Sequence, residues 1–200
     1  HDNINYNVFE NELMNFCEQC FNMNQSSLIF RSSANIEGRE DMGCCGIYDS
    51  FIYNDNISLV ENVQKVWNSV NNLAVKSYYE KMNYQDNEVK MAVIVQEIKK
   101  GQFSGVIQTY DIIQDKKCII LEYNTKELDS VVLGNEDAYI VYIDYSGEVY
   151  SLQEGPKIND KIIKKIINDC KIVESLFGTH VEMEVQINQE DIYYIQARSI

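Results

Sequence analysis

Residues Glu184 to Arg198 read EVQINQEDIYYIQAR, and the way this stretch folds decides what the rest of the chain can be built around. Glu184-Val185-Gln186-Ile187 and Ile192-Tyr193-Tyr194-Ile195 alternate or run apolar, and the turn-rich Asn188-Gln189-Glu190-Asp191 lies between them, which predicts a β-hairpin. In such a hairpin Glu184 and Gln196 fall near the open end, roughly opposite one another. A carboxylate and an amide oxygen side by side on paired strands are hard oxygen donors of the kind Mg²⁺ takes, with substrate phosphates completing its shell. Arg198, two residues beyond Gln196, is expected on the same face, where its planar fork suits a pair of phosphate oxygens. The same residues also fit an ordinary edge hairpin with a solvated polar face, and the stretch by itself leaves both readings open.

Composition narrows the partners. The chain has 200 residues, 45% hydrophobic and 24% charged, ordinary values for a globular protein of one domain or one and a half. No apolar run approaches the ~20 residues that cross a bilayer, and no signal peptide is recognisable, so the expected compartment is the cytoplasm. His1 in place of Met predicts a piece of a longer polypeptide with its N-terminal part missing. The net charge of -14 disfavours nucleic acid and anionic membranes, since like charge repels both. It also means that any polyphosphate site must concentrate positive charge locally or recruit Mg²⁺. Arg31, Arg39 and Arg198 are the three arginines, two in one short stretch and the third at the end of the hairpin. Of the six cysteines, Cys17 and Cys20 form one C-x-x-C with no second pair, and Cys44 and Cys45 are adjacent. Free thiols are therefore expected rather than a zinc site or disulfides, because only His180 could complete a metal shell.

Along the chain, helical spacing predicts a helix over Asn7–Phe21, and Leu28-Ile29-Phe30 a buried strand that delivers Arg31-Ser32-Ser33 into a polar loop, Asn35 to Gly46. Three glycines in that loop allow a close backbone approach to a ligand, so the junction is a candidate phosphate site. Tyr48–Tyr53 reads as a strand. Ser58 and Glu61 form a capping box for a helix carrying Leu59, Val63, Val66, Trp67 and Val70, and a second helix follows over Leu73–Met82. Val89–Ile98 reads as a central strand whose end, Gln96-Glu97-Ile98, can offer backbone groups to a flat base, with Ser104–Thr109 as its antiparallel partner. Strands are predicted at Lys117–Tyr123 and Val131–Leu133, with a hairpin about Ser146-Gly147. Asp160–Phe177 is the clearest helix, its stripe running from Ile162 through Ile166 and Cys170 to Leu176 and Phe177, with Gly178 at its end. The expected class is α+β: mostly antiparallel sheet with flanking helices.

These pieces resemble, in the same order, the nucleotide-binding domain shared by pyruvate phosphate dikinase, phosphoenolpyruvate synthase and rifampin phosphotransferase. Ile29-Phe30-Arg31-Ser32-Ser33-Ala34 is similar to that family's V-R-S-S-A, and Glu40-Asp41 through Gly46-Ile47-Tyr48-Asp49-Ser50-Phe51 to its D-x-x-x-A-G-x-x-D-T-F loop. Met91–Ile98 with Ser104-Gly105-Val106-x-x-Thr109 is similar to its V-x-V-Q-x-M and S-G-V-x-F-T pair, and Glu184–Arg198 to its E-W-A to Q-A-R ending. The resemblance implies an ATP-grasp fold spanning residues 28–200, with residues 1–27 a helix and linker and the family's N-terminal lobe missing. It further implies that Arg31 and Arg198 contact phosphates and stabilise the transferred group, and that Glu184 and Gln196 hold Mg²⁺. Gln96, Glu97 and Ile98 would line the adenine, while Gly46 to Ser50 would cover the phosphates. Catalysis at such a site is positioning and charge neutralisation. The implied partners are ATP, a phosphohistidine carrier domain in the same or another chain, and a small-molecule acceptor. The chain departs from the family in lacking the upstream lobe with its lysine and a carrier histidine in a T-x-x-G-x-x-H setting, which leaves His180 a structural role. Lys126-Glu127-Leu128-Asp129 stands where the family has G-L-G-E. Those lost glycines admit an alternative: a degenerate nucleotide-binding or regulatory module without phosphotransfer.

Overall fold

A computed structural model describes residues 5–23, 27–37, 46–54, 56–82, 89–125, 138–151, 155–188 and 190–200. The strand expected at Val131–Leu133, the departure at residues 126–129 and most of the loop glycines lie outside them. The chain divides into two units, residues 1–98 and 99–200.

In the first unit, β1 (Leu28–Ala34) is the middle strand of a three-stranded antiparallel sheet, between β2 (Phe51–Ile52) and β3 (Met91–Glu97). Alternation decides its faces: Leu28, Phe30 and Ala34 are buried, whereas Ile29, Arg31 and Ser33 point the other way and are half-buried. The buried side packs on α1 (Tyr6–Cys20) and α2 (Leu59–Asn68) through Cys17, Leu59, Val63 and Val66. Ser58 caps α2 as its sequence predicts, accepting from the Glu61 N–H at 3.0 Å. A second cap comes from α1: the Glu10 carboxylate accepts from the Leu59 and Val60 N–H groups at 3.0 and 2.8 Å, favourable at the positive end of a helix. Trp67 serves packing, stacked on Phe9 and donating its indole N–H to the Met91 carbonyl. α3 (Leu73–Met82) closes a smaller cluster of Ala34, Ile36, Tyr48, Val75 and Tyr79.

Two expectations about strands need correction here. The run Tyr48–Tyr53 is strand only at Phe51–Ile52, because Tyr48 is drawn into the smaller cluster, where its hydroxyl meets that of Tyr79 at 2.6 Å. Nor does Ser104–Thr109 pair with the preceding strand. β3 pairs with β1 over seven residues, and the next strand, β4 (Phe103–Gln108), enters a different sheet.

That second sheet has six antiparallel strands in the order β7-β6-β5-β4-β8-β9. They are β4, β5 (Ile119–Asn124), β6 (Tyr139–Ile143), β7 (Val149–Ser151), β8 (Val181–Ile187) and β9 (Ile192–Ser199). One face carries Ile107, Ile119, Leu121, Val141, Met183, Val185 and Ile187 against α4 (Asp160–Phe177), whose Ile162, Ile163, Ile166, Ile167 and Cys170 are buried. Gly105 is required where β4 passes β5, since a Cβ there would lie 2.5 Å from the Glu122 carbonyl oxygen. α4 begins at Asn159, whose side chain accepts from the Ile162 N–H, and ends at Gly178 with φ 72°. Leu176 and Phe177, expected on the buried stripe, are 78% and 45% exposed, and the buried stripe of α4 ends at Cys170. No helix among the described residues is long and apolar enough to cross a membrane.

Candidate functional site

The hairpin of β8 and β9 is longer than its sequence predicts, so Glu184 and Gln196 pair in its middle rather than near the open end. Their direct opposition depends on an irregularity. From the turn outward Ile187 pairs with Ile192, Gln186 with Tyr193 and Val185 with Tyr194, but Glu184 then pairs with Gln196, so Ile195 is left over as a bulge. In an unbroken ladder Gln196 would face Met183, on the side covered by α4. The bulge reverses the alternation, so Ile192 and Tyr194 face the core while Gln196 and Arg198 face the uncovered side beside Glu184 and Glu182. Two rungs further along, on the same face, Arg198 pairs with Glu182, whose Oε1 accepts from the arginine Nε–H at 2.7 Å and lies 2.5 Å from its Nη2. The other carboxylate oxygen accepts from Gln108 Nε2 on β4 at 2.9 Å. Ser104 and Gln186 follow on the same face, hydroxyl and amide hydrogen-bonded at about 3 Å.

This face brings together a guanidinium and the carboxylate and amide oxygens that are the types of ligand a hard cation takes. Glu184 and Gln196 supply two oxygen donors at cross-strand distance. Among the described residues no group of three or more His, Cys, Asp or Glu side chains could hold a metal. A cation at this pair must complete its shell from water and ligand oxygens, the habit of Mg²⁺ with phosphates. The residues present therefore fit Mg²⁺ held jointly with a nucleotide.

The remaining candidates belong to the first unit. Arg31 and Gln96 share the uncovered face of β1 and β3, and an Arg31 Nη1–H donates to Gln96 Oε1 at 3.1 Å. Beside them Ile52 is 63% and Ile94 49% exposed, which gives the face an apolar element next to its guanidinium. Ser32 and Glu37 lock the turn after β1: Glu37 accepts from the Ser32 hydroxyl at 3.0 Å and from the Ala34 N–H at 2.6 Å. Glu97 pairs with Leu28, and the Ile98 N–H is spent on the Ser27 carbonyl at 2.8 Å, so it is not offered to a ligand. Gly46, at φ 77°, opens the segment to Ser50, which is pinned by buried Tyr48 and by Asp49 accepting from Asn72 Nδ2 at 2.6 Å. Gly46 and Ser50 themselves are exposed.

Sequence reasoning missed Glu182 and Gln108. The signal was present as two acidic residues, Glu182 and Glu184, at the same two-residue interval as Gln196 and Arg198, but it becomes readable only with the bulge. His180 has the structural role expected of it, its Nδ1 2.7 Å from Glu174 and its ring stacked on Tyr110. Burial pushes the Glu174 carboxyl upward, yet hydrogen bonds from Lys117, His180, Tyr145 and Thr109 outweigh it and hold it below the usual range. Cys17, Cys20, Cys118 and Cys170 are free thiols, and burial pushes Cys170 up to about 12.

Comparison with known proteins places the chain in an ATP-binding family. Residues 7–145 match the family described as pyruvate phosphate dikinase, AMP/ATP-binding domain. The chain belongs to this family. An uncharacterized phosphotransferase of Bacillus subtilis, YvkC, is 26% identical over 204 residues, covering 87% of this chain and 24% of that protein. A probable phosphoenolpyruvate synthase of Archaeoglobus fulgidus is 23% identical, covering 85% of this chain and 26% of its own length. Another from Methanothermobacter thermautotrophicus is 22% identical, with 85% and 29% covered. The chain thus spans about a quarter of the length of these curated relatives. The stretch matched to the dikinase ATP-binding family contains Arg31, Gly46, Ser50, Gln96, Glu97 and Ile98 and stops short of Glu184.

Proposed function

We propose that this chain is the ATP-grasp-type domain of a dikinase-like phosphotransferase that cleaves ATP with Mg²⁺ and passes a phosphoryl group to a histidine on a separate domain. The observation that carries this reading is one face of one sheet. There Glu184 opposes Gln196, and two rungs along Arg198 stands against Glu182, in a chain of an ATP-binding family. Glu184 and Gln196 would hold the magnesium, which when bound neutralises phosphate charge and orients the oxygens. Arg198, held by Glu182, would contact a phosphate oxygen. In the first unit, taken by itself, Arg31, steadied by Gln96, would offer a cationic contact to phosphate, with Gln96, Glu97 and Ile98 as base contacts and Gly46 to Ser50 as phosphate cover. Residues 28–200 would form the family domain, its upstream lobe lying outside this sequence, and a small molecule would be the final acceptor. The Ile98 N–H cannot serve the base while it remains bonded to Ser27, so recognition there falls to carbonyl oxygens and side chains.

The test is calorimetry of Mg-ATP binding followed by the fate of the γ- and β-phosphates. A polypeptide carrying this chain and its upstream lobe should bind Mg-ATP and place labelled phosphate on a histidine outside residues 1–200. Absence of binding would remove the reading, and binding without any labelled histidine would leave a nucleotide-binding module in its place.

A further inference from the structure

β9, which carries Arg198, is the edge strand of its sheet, and the arginine is 44% exposed along its side chain. A long cationic side chain on such an edge ordinarily samples many rotamers and holds no fixed direction. Here it is tied inward. Gln108 on β4, Glu182 on β8 and Arg198 on β9 are register partners across three adjacent strands, so their side chains stand in one row on the uncovered face. The row divides the Glu182 carboxylate: Oε2 accepts from the Gln108 amide at 2.9 Å, while Oε1 takes both the Nε–H and the Nη2 of Arg198, at 2.7 and 2.5 Å. The Glu182 side chain is only 18% exposed, so these bonds are partly shielded from water.

We infer that Gln108 is a positioning residue for Arg198, acting through Glu182. With Oε2 held by a neutral amide on an interior strand, the carboxylate plane is fixed and meets Arg198 with a single oxygen. Without that amide the carboxylate can rotate and grip the guanidinium with both oxygens, as free carboxylate–arginine pairs do. The orientation of the Arg198 guanidinium would then change. A neutral donor is needed for the purpose: a carboxylate at 108 would repel Glu182, and an apolar side chain would leave Oε2 unclaimed. The inference rests on the phosphate role proposed for Arg198 and adds a residue to it.

Mg-ATP is the probe, titrated into the polypeptide that carries this chain and its upstream lobe, while the 200-residue chain serves for the arginine spectra, each in wild type, Gln108→Met, Gln108→Glu and Arg198→Ala. Gln108→Met keeps side-chain length on the face away from α4, so the fold should stand, and an unchanged thermal midpoint verifies that. Calorimetry should show Mg-ATP binding weakened by about 3–10-fold in Gln108→Met, the size of one hydrogen bond, and further in Gln108→Glu. With only three arginines, the Nε–Hε signals in a ¹H–¹⁵N spectrum are few, and Arg198→Ala identifies the relevant one. That signal should shift and exchange faster with solvent in both Gln108 variants. An unmoved signal, or Mg-ATP affinity within two-fold of wild type in both variants, overturns the relay. Arg198→Ala binding Mg-ATP as tightly as wild type overturns the phosphate reading instead, whatever the arginine signal does.

Discussion

Glu184 faces Gln196 because one residue between them and the turn, Ile195, is bulged out of the ladder. This predicts unequal effects of two deletions. Removing Ile195 leaves a regular ladder in which Glu184 still meets Gln196 and Glu182 still meets Arg198. Removing Ala197 cannot preserve both pairs: if the bulge stays, Arg198 moves to the α4 side opposite Met183, and if it is absorbed, Gln196 does. Mg-ATP affinity should therefore stay near wild type in the first deletion. In the second it should fall by roughly 30-fold or more, the scale of losing one partner of a shielded charge pair. Calorimetry of the two variants decides it, and equal losses would count against the bulge as the device that aims these side chains.

The metal assignment predicts a change in cation dependence rather than in fold. Glu184→Ala should bind ATP with nearly the same affinity whether or not Mg²⁺ is present, while the wild type should bind more tightly with it. Gln196→Ala should show the same effect more weakly, since an amide oxygen carries no net charge. The thermal midpoint of both variants should hold, because both side chains lie on the face that α4 does not cover. Retention of the full Mg²⁺ effect in Glu184→Ala would take this pair out of the site.

Arg31 is predicted to be sensitive to geometry as well as charge. Its Nη1–H donates to Gln96 Oε1 at 3.1 Å. Arg31→Lys keeps the charge but cannot make that contact and a forked phosphate contact together, so ATP affinity should fall by about 10-fold. Gln96→Leu should produce a smaller loss in the same direction. A lysine variant that binds ATP like wild type would make Arg31 an ordinary sheet residue.

How much of this was legible in the sequence depends on whether local pattern or partner choice decides each feature. The α2 cap at Ser58, the Asn159-to-Gly178 limits of α4 and the alternation of β1 are local, and the residues declare them. Strand partners are not local. Val89–Ile98 and Ser104–Thr109 look like a hairpin because a short turn separates them, yet β3 finds seven partners on β1, and Gly105 fits β4 closely against β5. Around the β8–β9 hairpin, the residue types at 184, 196 and 198 are readable, and the expectation that the three share one face agrees with the register. The reason for that common face was hidden, because a bulge leaves no mark in an apolar run such as Ile192-Tyr193-Tyr194-Ile195. Glu182 and Gln108 were hidden with it, since each matters only through the register.

The Glu174 cluster makes a prediction about acid stability. The carboxylate accepts from Lys117 at 2.9 Å and from the Tyr145 hydroxyl at 3.0 Å, and His180 Nδ1 lies 2.7 Å away, binding the end of α4 to the strand ends. Burial raises its proton affinity, but these hydrogen bonds and that of Thr109 together lower it below the ordinary glutamate value. The unfolded chain then binds this proton more readily than the folded one, so stability rises with pH across the carboxylate range. The contribution is fully present above the unfolded value and is lost as pH falls through the folded one. Glu174→Gln should cost about 1–3 kcal/mol near neutral pH, where charged acceptors are exchanged for a neutral amide. Urea unfolding from pH 7 down to about pH 3 should show that gap closing below about pH 5. A gap of constant size across the whole range would mean that the ionised carboxylate is not what holds the end of α4.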